Sequence, residues 1–355
     1  MARARLSIDL DAINENWRAL DARSGPEVET AAVLKADAYG LGIARVAPAL
    51  AAAGVRTFFV ALAEEGAELR EVLGAEPEIF VLSGLMPGDA ALCREFVLAP
   101  CLNSVEQIEE FTAVLSGGLC AVQIDSGMNR LGLEPADFIA RSPEIAELAP
   151  RLVLSHLACS DLPAHPLNTE QMRVFGAATA ALAGTRRSLA ATGGILLGGD
   201  YHYDLVRPGI GLFGGLPFLE AGPVVSLALP VIQVRDVMPG EVVGYGAHWM
   251  APVPSRVATV AAGYADGLIR AIGNGNVHFY AGKTACPMIG RVSMDLITVD
   301  VSALDEVPDH LEILNGHQGI DDLAQAAGTI GYEFLTSLGD RYERAYKGGA
   351  LQLAT

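Results

Sequence analysis

The chain has 355 residues, more than one ordinary hydrophobic core holds, which indicates about two domains. Its 51% hydrophobic and 19% charged residues are a globular composition, and the net charge of −18 argues against a nucleic-acid-binding surface, which needs a basic face. No apolar run reaches about 18 residues and none follows the early arginines, so we expect neither a membrane span nor a signal peptide.

The first two-thirds of the chain alternates short apolar strands with amphipathic helices. A helix is predicted near residues 11–22, and eight strand candidates follow: TAAVLK, TFFVAL, EIFVLSG, FVLAPCLN, CAVQID, RLVLSH, RSLAAT and DLVRPGIGLF. Alternating strands and helices form parallel sheets, and eight such units in about 210 residues match the count of a β/α barrel. Alternation alone leaves a doubly wound open sheet as the alternative.

The pattern changes near Leu216, where glycine and proline punctuate GLPFLEAGPVV. The segments beyond it read as strands, with IDDLAQAAGTIG as a helix; they are VSLALPVIQVRDV, RVATVAAGY, NVHFYAG, TACPMIG and LITVDVS. We predict a TIM-like α/β barrel over residues 8–218 and a mostly β C-terminal domain over residues 219–355. Residues 1–7 are left free to pair with the second domain.

Lys35 ends the first predicted barrel strand, in VLKADAYGLG. A lysine at the mouth of a barrel, behind apolar residues, is partly desolvated. Desolvation lowers its pKa and makes the amine a better nucleophile toward an aldehyde. The alternative is an ordinary surface lysine, which the apolar or small residues before it disfavour.

Four further polar residues end later strands: Arg130 in DSGMNRLGL, His156 in VLSHLACSD, Thr192 in LAATGG and Arg207 in DLVRPGIG. Barrel enzymes place catalytic groups at the C-terminal ends of their strands. Any one of these residues could be an ordinary core or loop residue. Together with Lys35 they predict one site.

Residues 209–214 match the GxGxxG pattern of dinucleotide-binding proteins. That pattern should lie between a first strand and a helix, whereas here it follows a late strand and precedes a poor helix. We therefore reject a dinucleotide site. The glycines can still let backbone N–H groups approach a phosphate closely.

Cysteine and histidine spacings give no sign of a disulfide framework or a metal site. The five cysteines are odd in number and form no CxxC pair, and the histidines form no HExxH motif. The cysteines are typical of small buried hydrophobic residues in a reducing compartment, so we expect a cytoplasmic protein.

These segments together resemble the alanine racemase family. VLKADAYGLG resembles its cofactor-lysine motif, DSGMNRLG its substrate-arginine motif and VRPGI its pyridine and phosphate motif. GYADG resembles its catalytic-tyrosine motif, and GRVSMD the motif that completes its substrate pocket. LVLSHLACSD and LTSLGDRYERAY agree too, so seven motifs occur in order over nearly the whole chain.

The resemblance implies a pyridoxal 5'-phosphate enzyme with a cofactor-binding barrel, working as a homodimer whose active sites are shared between subunits. It implies two catalytic bases, Lys35, which also bonds the cofactor, and Tyr264 from the partner subunit. Arg130 and Met294 would hold the substrate carboxylate. The other cofactor contacts that it implies are Tyr39, His156, Thr192, Arg207, Gly209, Ile210 and Tyr346.

The activity that the resemblance implies is that of an isomerase, the two-base interconversion of L-alanine and D-alanine, supplying D-alanine for peptidoglycan. One group of alternatives keeps the cofactor: a broader-specificity (serine) racemase, a decarboxylase of the same fold, or a non-catalytic pyridoxal-phosphate carrier. The remaining alternative is an aldolase-type lyase that uses a Schiff-base lysine without cofactor. Substrate breadth, a biosynthetic or catabolic role, kinetics and dimer strength are left open.

Three positions depart from the commonest pattern of the family. Thr192 stands where serine is usual and keeps the hydroxyl, and Ser293 stands where cysteine is frequent. Gln123 stands where many members have a lysine that is carbamylated beside the substrate arginine. Glutamine cannot be carbamylated, so the group that orients Arg130 is left open.

Overall fold

The computed structural model describes residues 4–182, 184–273 and 277–349, which divide into two compact units. One unit comprises Ile13–Leu212 and Leu216–Ala221. The other comprises the N-terminal residues up to Ala12, Phe213–Gly215 and Gly222–Gly349. The predicted domains also include residues 1–3 and 350–355, which lie outside the described residues.

The described chain forms nineteen strands, twelve helical segments and several short 3₁₀ turns. The strands are β1 (Arg5–Asp9), β2 (Glu29–Thr30), β3 (Ala32–Val33), β4 (Thr57–Val60), β5 (Glu78–Val81), β6 (Ala99–Leu102), β7 (Ala121–Gln123), β8 (Leu152–Leu154), β9 (Arg187–Ser188), β10 (Leu205–Val206), β11 (Val225–Val237), β12 (Val242–Val243), β13 (Trp249–Met250), β14 (Ser255–Val260), β15 (His278–Ala281), β16 (Thr284–Ile289), β17 (Ile297–Asp300), β18 (His310–Leu314) and β19 (Glu343–Lys347). The helical segments are α1 (Leu10–Ser24), α2 (Lys35–Gly40), α3 (Ile43–Ala53), α4 (Ala63–Leu73), α5 (Asp89–Glu95), α6 (Val105–Val114), α7 (Pro135–Ala140), α8 (Ser142–Glu147), α9 (Pro166–Thr179), α10 (Thr192–Leu197), α11 (Ile320–Ala327) and α12 (Gly331–Ser337).

The first unit is built on parallel strands in chain order. Strands β3 to β9 pair side by side, and β10 pairs with β2. Backbone bonds from Ala31 N to Val206 O (2.9 Å) and from Arg207 N to Ala190 O (2.8 Å) join β10 to both ends of this sheet. The eight predicted barrel strands are therefore confirmed, and the doubly wound alternative is wrong because the strand order never reverses.

The barrel strands are apolar on both faces because the barrel interior and the surrounding helices cover them. All residues of β4, β6, β7 and β8 are buried. The rings of Phe59 and Phe80 stack between neighbouring strands with their centroids 5.0 Å apart. At the start of α6, Ser104 accepts a bond from the backbone N–H of Gln107, as its position in the sequence predicts.

The second unit is a closed antiparallel sheet, which confirms the mostly β second domain. Its strands follow the order β14, β17, β16, β15, β18 and β11, and β11 pairs again with β14. Strand β1 pairs with β11 in antiparallel fashion and with β19 in parallel. The sequence patterns did not single out β1, β18 or β19, because each is a short strand beside a stronger helix or turn signal.

Within the described residues, no helix is both long and apolar enough to span a membrane. No group of three or more His, Cys, Asp or Glu side chains in that part of the chain could hold a metal ion. All five cysteines carry free thiols, and four of them are buried.

Candidate active site

Lys35 follows β3 at the C-terminal end of the barrel strands, where it is half-buried. Its pKa lies below the ordinary value of 10.5, mainly because burial disfavours the ammonium. The Arg130 cation lowers this pKa further, while the Glu65 carboxylate opposes the shift. The desolvated amine that the apolar strand predicts is thus present.

The residues that follow Lys35 form a left-handed turn. Four successive residues, Ala36 to Tyr39, have φ between 53° and 57°, a region that residues other than glycine adopt rarely and at a cost. The carboxylate of Glu65 accepts the backbone N–H of Ala36 (2.7 Å), and that of Asp37 accepts the N–H of Ile43 (2.6 Å). These two bonds connect the turn to α4 and to the start of α3.

Glu65 was not recognised from the sequence, although it lies near the start of α4. There it accepts the backbone N–H groups of Ala61 (2.7 Å) and Leu62 (3.2 Å). An acidic residue three positions after the start of a helix is a common capping signal. That position could have identified a cap, but not its second bond to the turn beside Lys35.

Arg130, His156 and Arg207 come from the ends of different strands and act on one another and on Lys35. Burial lowers the pKa of His156 from 6.5 to about 3, and the cations of Arg207, Arg130 and Lys35 add to this shift in that order. His156 is therefore neutral at physiological pH. The structure brings these four predicted residues together.

Arg207 is a buried cation, with only 4% of its surface exposed. It donates to Ser188 Oγ (2.5 Å) and to the carbonyl oxygen of Ser155 (2.6 Å). Burial lowers its pKa from 12.5 to about 10, so it keeps its proton at neutral pH. These two bonds use two of the five N–H donors of a guanidinium group. The sequence patterns missed both serines.

Thr192, Gly209 and Gly211 form a small polar cradle. The hydroxyl oxygen of Thr192 accepts the backbone N–H groups of both glycines at 3.2 Å. A Cβ atom on Gly209 would lie 2.2 Å from Tyr39 Oη, so only glycine leaves this space open. Ile210 lies between the glycines and is buried.

This cradle and Lys35 together fit pyridoxal phosphate. The hydroxyls of Thr192 and Tyr39 lie beside the backbone N–H groups of the glycine-rich segment, which bond the Thr192 oxygen in this structure. Hydroxyls and backbone N–H groups are the donors that a phosphate binds. The amine of Lys35 is the group that an aldehyde needs. Both lie in the barrel unit.

The Arg130 loop is held through its backbone. Asp125 accepts the N–H groups of Gly127 (2.8 Å), Met128 (2.8 Å) and Arg130 (3.2 Å). Gln123 donates to the carbonyl oxygen of Leu131, the residue after Arg130, at 3.1 Å. The glutamine therefore supports the loop that carries Arg130 through a neutral hydrogen bond, where many family members have a carbamylated lysine.

Tyr264, Met294 and Tyr346 belong to the second unit. The N–H of Tyr264 donates to Ser293 O (3.1 Å) and that of Ala265 to Met294 O (3.0 Å), so Tyr264 and Met294 are adjacent. Both are exposed, to 42% and 54%. Tyr346 lies on β19, opposite Ile8 of β1. The structure thus brings Tyr264 and Met294 together and places Tyr346 on a strand.

Known proteins share both units. Residues 8–217 match the family profile of the alanine racemase N-terminal domain, and residues 224–346 match that of the C-terminal domain. A Cereibacter sphaeroides protein named alanine racemase is 60% identical over 99% of each chain. A Rhizobium meliloti protein of the same name is 46% identical over 98% of each chain.

Solved structures agree with these matches. The alanine racemase from Bartonella henselae, with covalently bound pyridoxal phosphate, has a TM-score of 0.92 and 36% identity, covering 98% of this chain and 100% of that one. The biosynthetic alanine racemase from Pseudomonas aeruginosa has a TM-score of 0.90, with the same identity and coverage.

The fold and the site define a two-unit barrel protein with a desolvated lysine and a glycine cradle at the C-terminal ends of its strands. With both profiles and full-length relatives matched, the chain belongs to the alanine racemase family.

Proposed function

We propose that this protein is an alanine racemase, an isomerase that interconverts L-alanine and D-alanine with pyridoxal 5'-phosphate. The observation that carries the proposal is the cluster of Lys35, Arg130, His156 and Arg207 beside the glycine cradle. The names of full-length relatives at 54 to 60% identity support alanine as the substrate.

We assign the cofactor contacts residue by residue. Lys35 would hold the cofactor through its amine, and Arg207, with His156 behind it, would meet the ring nitrogen. The residues that would hold the phosphate are Tyr39, Thr192, Gly209, Ile210 and Tyr346. The cradle distances support Tyr39, Thr192 and Gly209, whereas Tyr346 rests on the family resemblance alone. When bound, the cofactor makes the α-proton of the amino acid acidic by delocalising the electron pair left behind.

Racemisation requires that one base removes the α-proton and another returns a proton to the opposite face. We assign these roles to Lys35 Nζ and Tyr264 Oη. The lowered pKa of Lys35 suits a base, because its amine is neutral at lower pH than an ordinary lysine. Arg130 and the backbone N–H of Met294 would hold the substrate carboxylate between the two bases.

The active site is proposed to be shared in a homodimer. Lys35 and Tyr264 belong to different units of the chain, and the family resemblance pairs Lys35 with Tyr264 of the partner subunit. We further propose a cytoplasmic protein that supplies D-alanine for peptidoglycan. Five free thiols support the reducing compartment.

The test is to incubate the purified protein with L-alanine, without added keto acid, and to measure D-alanine by chiral chromatography. L-serine and L-lysine are run in parallel, and the Lys35→Ala variant is the control. Rapid conversion of alanine alone supports the proposal, and similar rates with serine or lysine would indicate a broader racemase. A yellow protein that makes no D-product would be a carrier or a decarboxylase, and a colourless one a cofactor-independent lyase.

A further inference from the structure

Arg341, between α12 and β19, links two loops of the second unit. Its Nε and Nη2 atoms donate to the two carboxylate oxygens of Asp266, at 2.6 and 2.9 Å, and its Nη1 atom donates to Asp295 Oδ1 at 2.8 Å. One guanidinium therefore holds two carboxylates in a fixed planar arrangement. Neither the sequence motifs nor the proposed mechanism assigns a role to it.

Asp266 supports the turn that carries Tyr264. Its side chain is only 7% exposed, and besides Arg341 it accepts the backbone N–H of Gly263 at 2.9 Å. Residues Tyr264–Asp266 form a single 3₁₀ turn, so the carboxylate fixes the turn within two residues of the tyrosine. A buried carboxylate needs such a partner, because burying an unpaired charge is costly.

Asp295 directly follows Met294 on the neighbouring loop. The two loops are in close contact: a Cβ atom on Gly263 would lie 2.2 Å from Ser293 O and 2.4 Å from Met294 O. Arg341 joins them from the side through their carboxylates. Arg341 thus adds a side-chain bridge between two loops that are also joined by the backbone bonds from Tyr264 N to Ser293 O and from Ala265 N to Met294 O.

We propose that Arg341 is a positioning residue that holds Tyr264 and Met294 in register by bridging Asp266 and Asp295. This inference rests on the proposed function, in which Tyr264 is one of two bases. The proposed mechanism gives Arg341 no contact with the cofactor or the reacting atoms. Lysine, a single point charge, could balance Asp266 but could not bind both carboxylates in this geometry.

The experiment measures α-deuterium uptake from D₂O into L-alanine and D-alanine separately. Racemisation rates alone do not show which of the two bases a variant affects. The enantiomers are equal in energy, so every variant has the same kcat/KM in both directions. Tyr264→Phe, compared with wild type, identifies the enantiomer whose proton Tyr264 removes. Arg341→Lys should slow uptake into that enantiomer about 10- to 100-fold, the scale of a misplacement near 1 Å, and leave the other within about twofold.

Two further variants complete the design. Asp295→Ala removes only the exposed arm of the bridge and should slow the same enantiomer to a smaller extent; it serves also if Arg341→Lys does not fold. Arg256→Lys is the control, because Arg256 lies in the same unit and its guanidinium donates to the backbone carbonyls of Asp305 and Val301. It should exchange both enantiomers at the wild-type rate.

The double variant Tyr264→Phe/Arg341→Lys should be no slower on that enantiomer than Tyr264→Phe alone, since both changes remove the same base. Equal slowing of both enantiomers, or additive losses in the double variant, overturns the role of Arg341 and leaves the racemase proposal standing. A wild-type enzyme that makes no D-alanine overturns both.

Discussion

Opposing charges act on the amine of Lys35. The Arg130 cation lowers its pKa, and the Glu65 carboxylate raises it, on top of the larger effect of burial. Arg130 therefore has two roles in one site. It is the proposed ligand of the substrate carboxylate, and it keeps more of the Lys35 amine neutral. The two roles can be separated, because the second is measurable without substrate.

Replacing Arg130 with glutamine should raise the pKa of Lys35, because the repelling cation is lost while burial remains. Below that pKa, each unit of increase lowers the neutral fraction of the amine about tenfold. Apoprotein carrying Arg130→Gln should therefore take up pyridoxal phosphate more slowly than wild type at neutral pH and equally fast at high pH. Stopped-flow absorbance over roughly pH 6 to 10 measures this.

Two further variants serve as a control and as a test in the opposite direction. Arg94→Gln changes an exposed arginine of the same unit that donates to the carbonyl oxygen of Val114, and it should leave the pH profile unchanged. Glu65→Gln should move the profile in the opposite direction, since the carboxylate raises the pKa of Lys35. Superimposable profiles for all four proteins would contradict the electrostatic account.

Gly209 gives a second prediction at the scale of one residue. An alanine there would place a methyl group 2.2 Å from Tyr39 Oη and close the cradle. Gly209→Ala should weaken binding of pyridoxal phosphate by at least about tenfold, or about 1.4 kcal/mol. Titration of the apoprotein followed by absorbance measures the Kd.

The matched control for Gly209→Ala is Gly199→Ala. Gly199 is exposed and a Cβ atom there would meet nothing within 4 Å, so its affinity should equal that of wild type. If both variants bind the cofactor as tightly as wild type, the phosphate does not occupy this cradle.

Among the elements, the left-handed turn after Lys35 is built from residues whose backbone conformational preferences disfavour it. Ala36 is exposed and has a φ of 54°, where alanine is strained by about 1–2 kcal/mol relative to the right-handed region. Ala36→Gly should therefore raise the melting temperature, because relief of strain exceeds the entropic cost of about 0.5–1 kcal/mol. Calorimetry of the apoprotein measures the change.

A substitution of the same kind in an ordinary helix should have the opposite sign. Ala67 lies in the middle of α4 with helical neighbours on both sides, and Ala67→Gly should lower the melting temperature, since glycine costs about 0.5–1 kcal/mol there. A fall in both variants would show that the bonds from Glu65 and Asp37 do not leave the turn strained.

The barrel elements could be predicted because their signal is local. Strands buried on both faces need unbroken apolar runs, and the run ending at Lys35 shows both the strand and the desolvated amine. The turn after Lys35 could not be predicted, because Glu65, which holds it, is 29 residues away in the chain. Likewise β1 could not be assigned a partner, since it pairs with β11 more than 200 residues later.

For the site, strand ends were a sufficient signal for Lys35, Arg130, His156 and Arg207, because parallel strands gather their C-terminal ends at one mouth. The residues that hold them gave no comparable signal. Ser155 and Ser188 were missed because serine is common beside strands and its partner depends on the closed barrel. Arg341 was missed because its two carboxylates lie on separate loops.

At the scale of the whole molecule, the proposed division of the two bases between subunits can be tested by mixing variant chains. Each base alone acts on one face of the substrate, and the bases belong to different units of the chain. If each site pairs Lys35 with Tyr264 of the partner subunit, two inactive proteins can restore each other. A Lys35→Ala chain still offers an intact tyrosine, and a Tyr264→Phe chain still offers an intact lysine.

Equal mixing of these two variants, after subunit exchange, should recover about a quarter of the wild-type racemase activity. Random pairing makes about half of the dimers hybrids, and each hybrid has one intact and one doubly altered site. Chiral chromatography measures the activity, and mass spectrometry of differently tagged chains confirms exchange. The doubly substituted Lys35→Ala/Tyr264→Phe protein mixed with either single variant is the control, because no pairing of those chains contains an intact site. Exchange without recovery would mean that each chain completes its own site, and the proposed division of the two bases between subunits would be wrong.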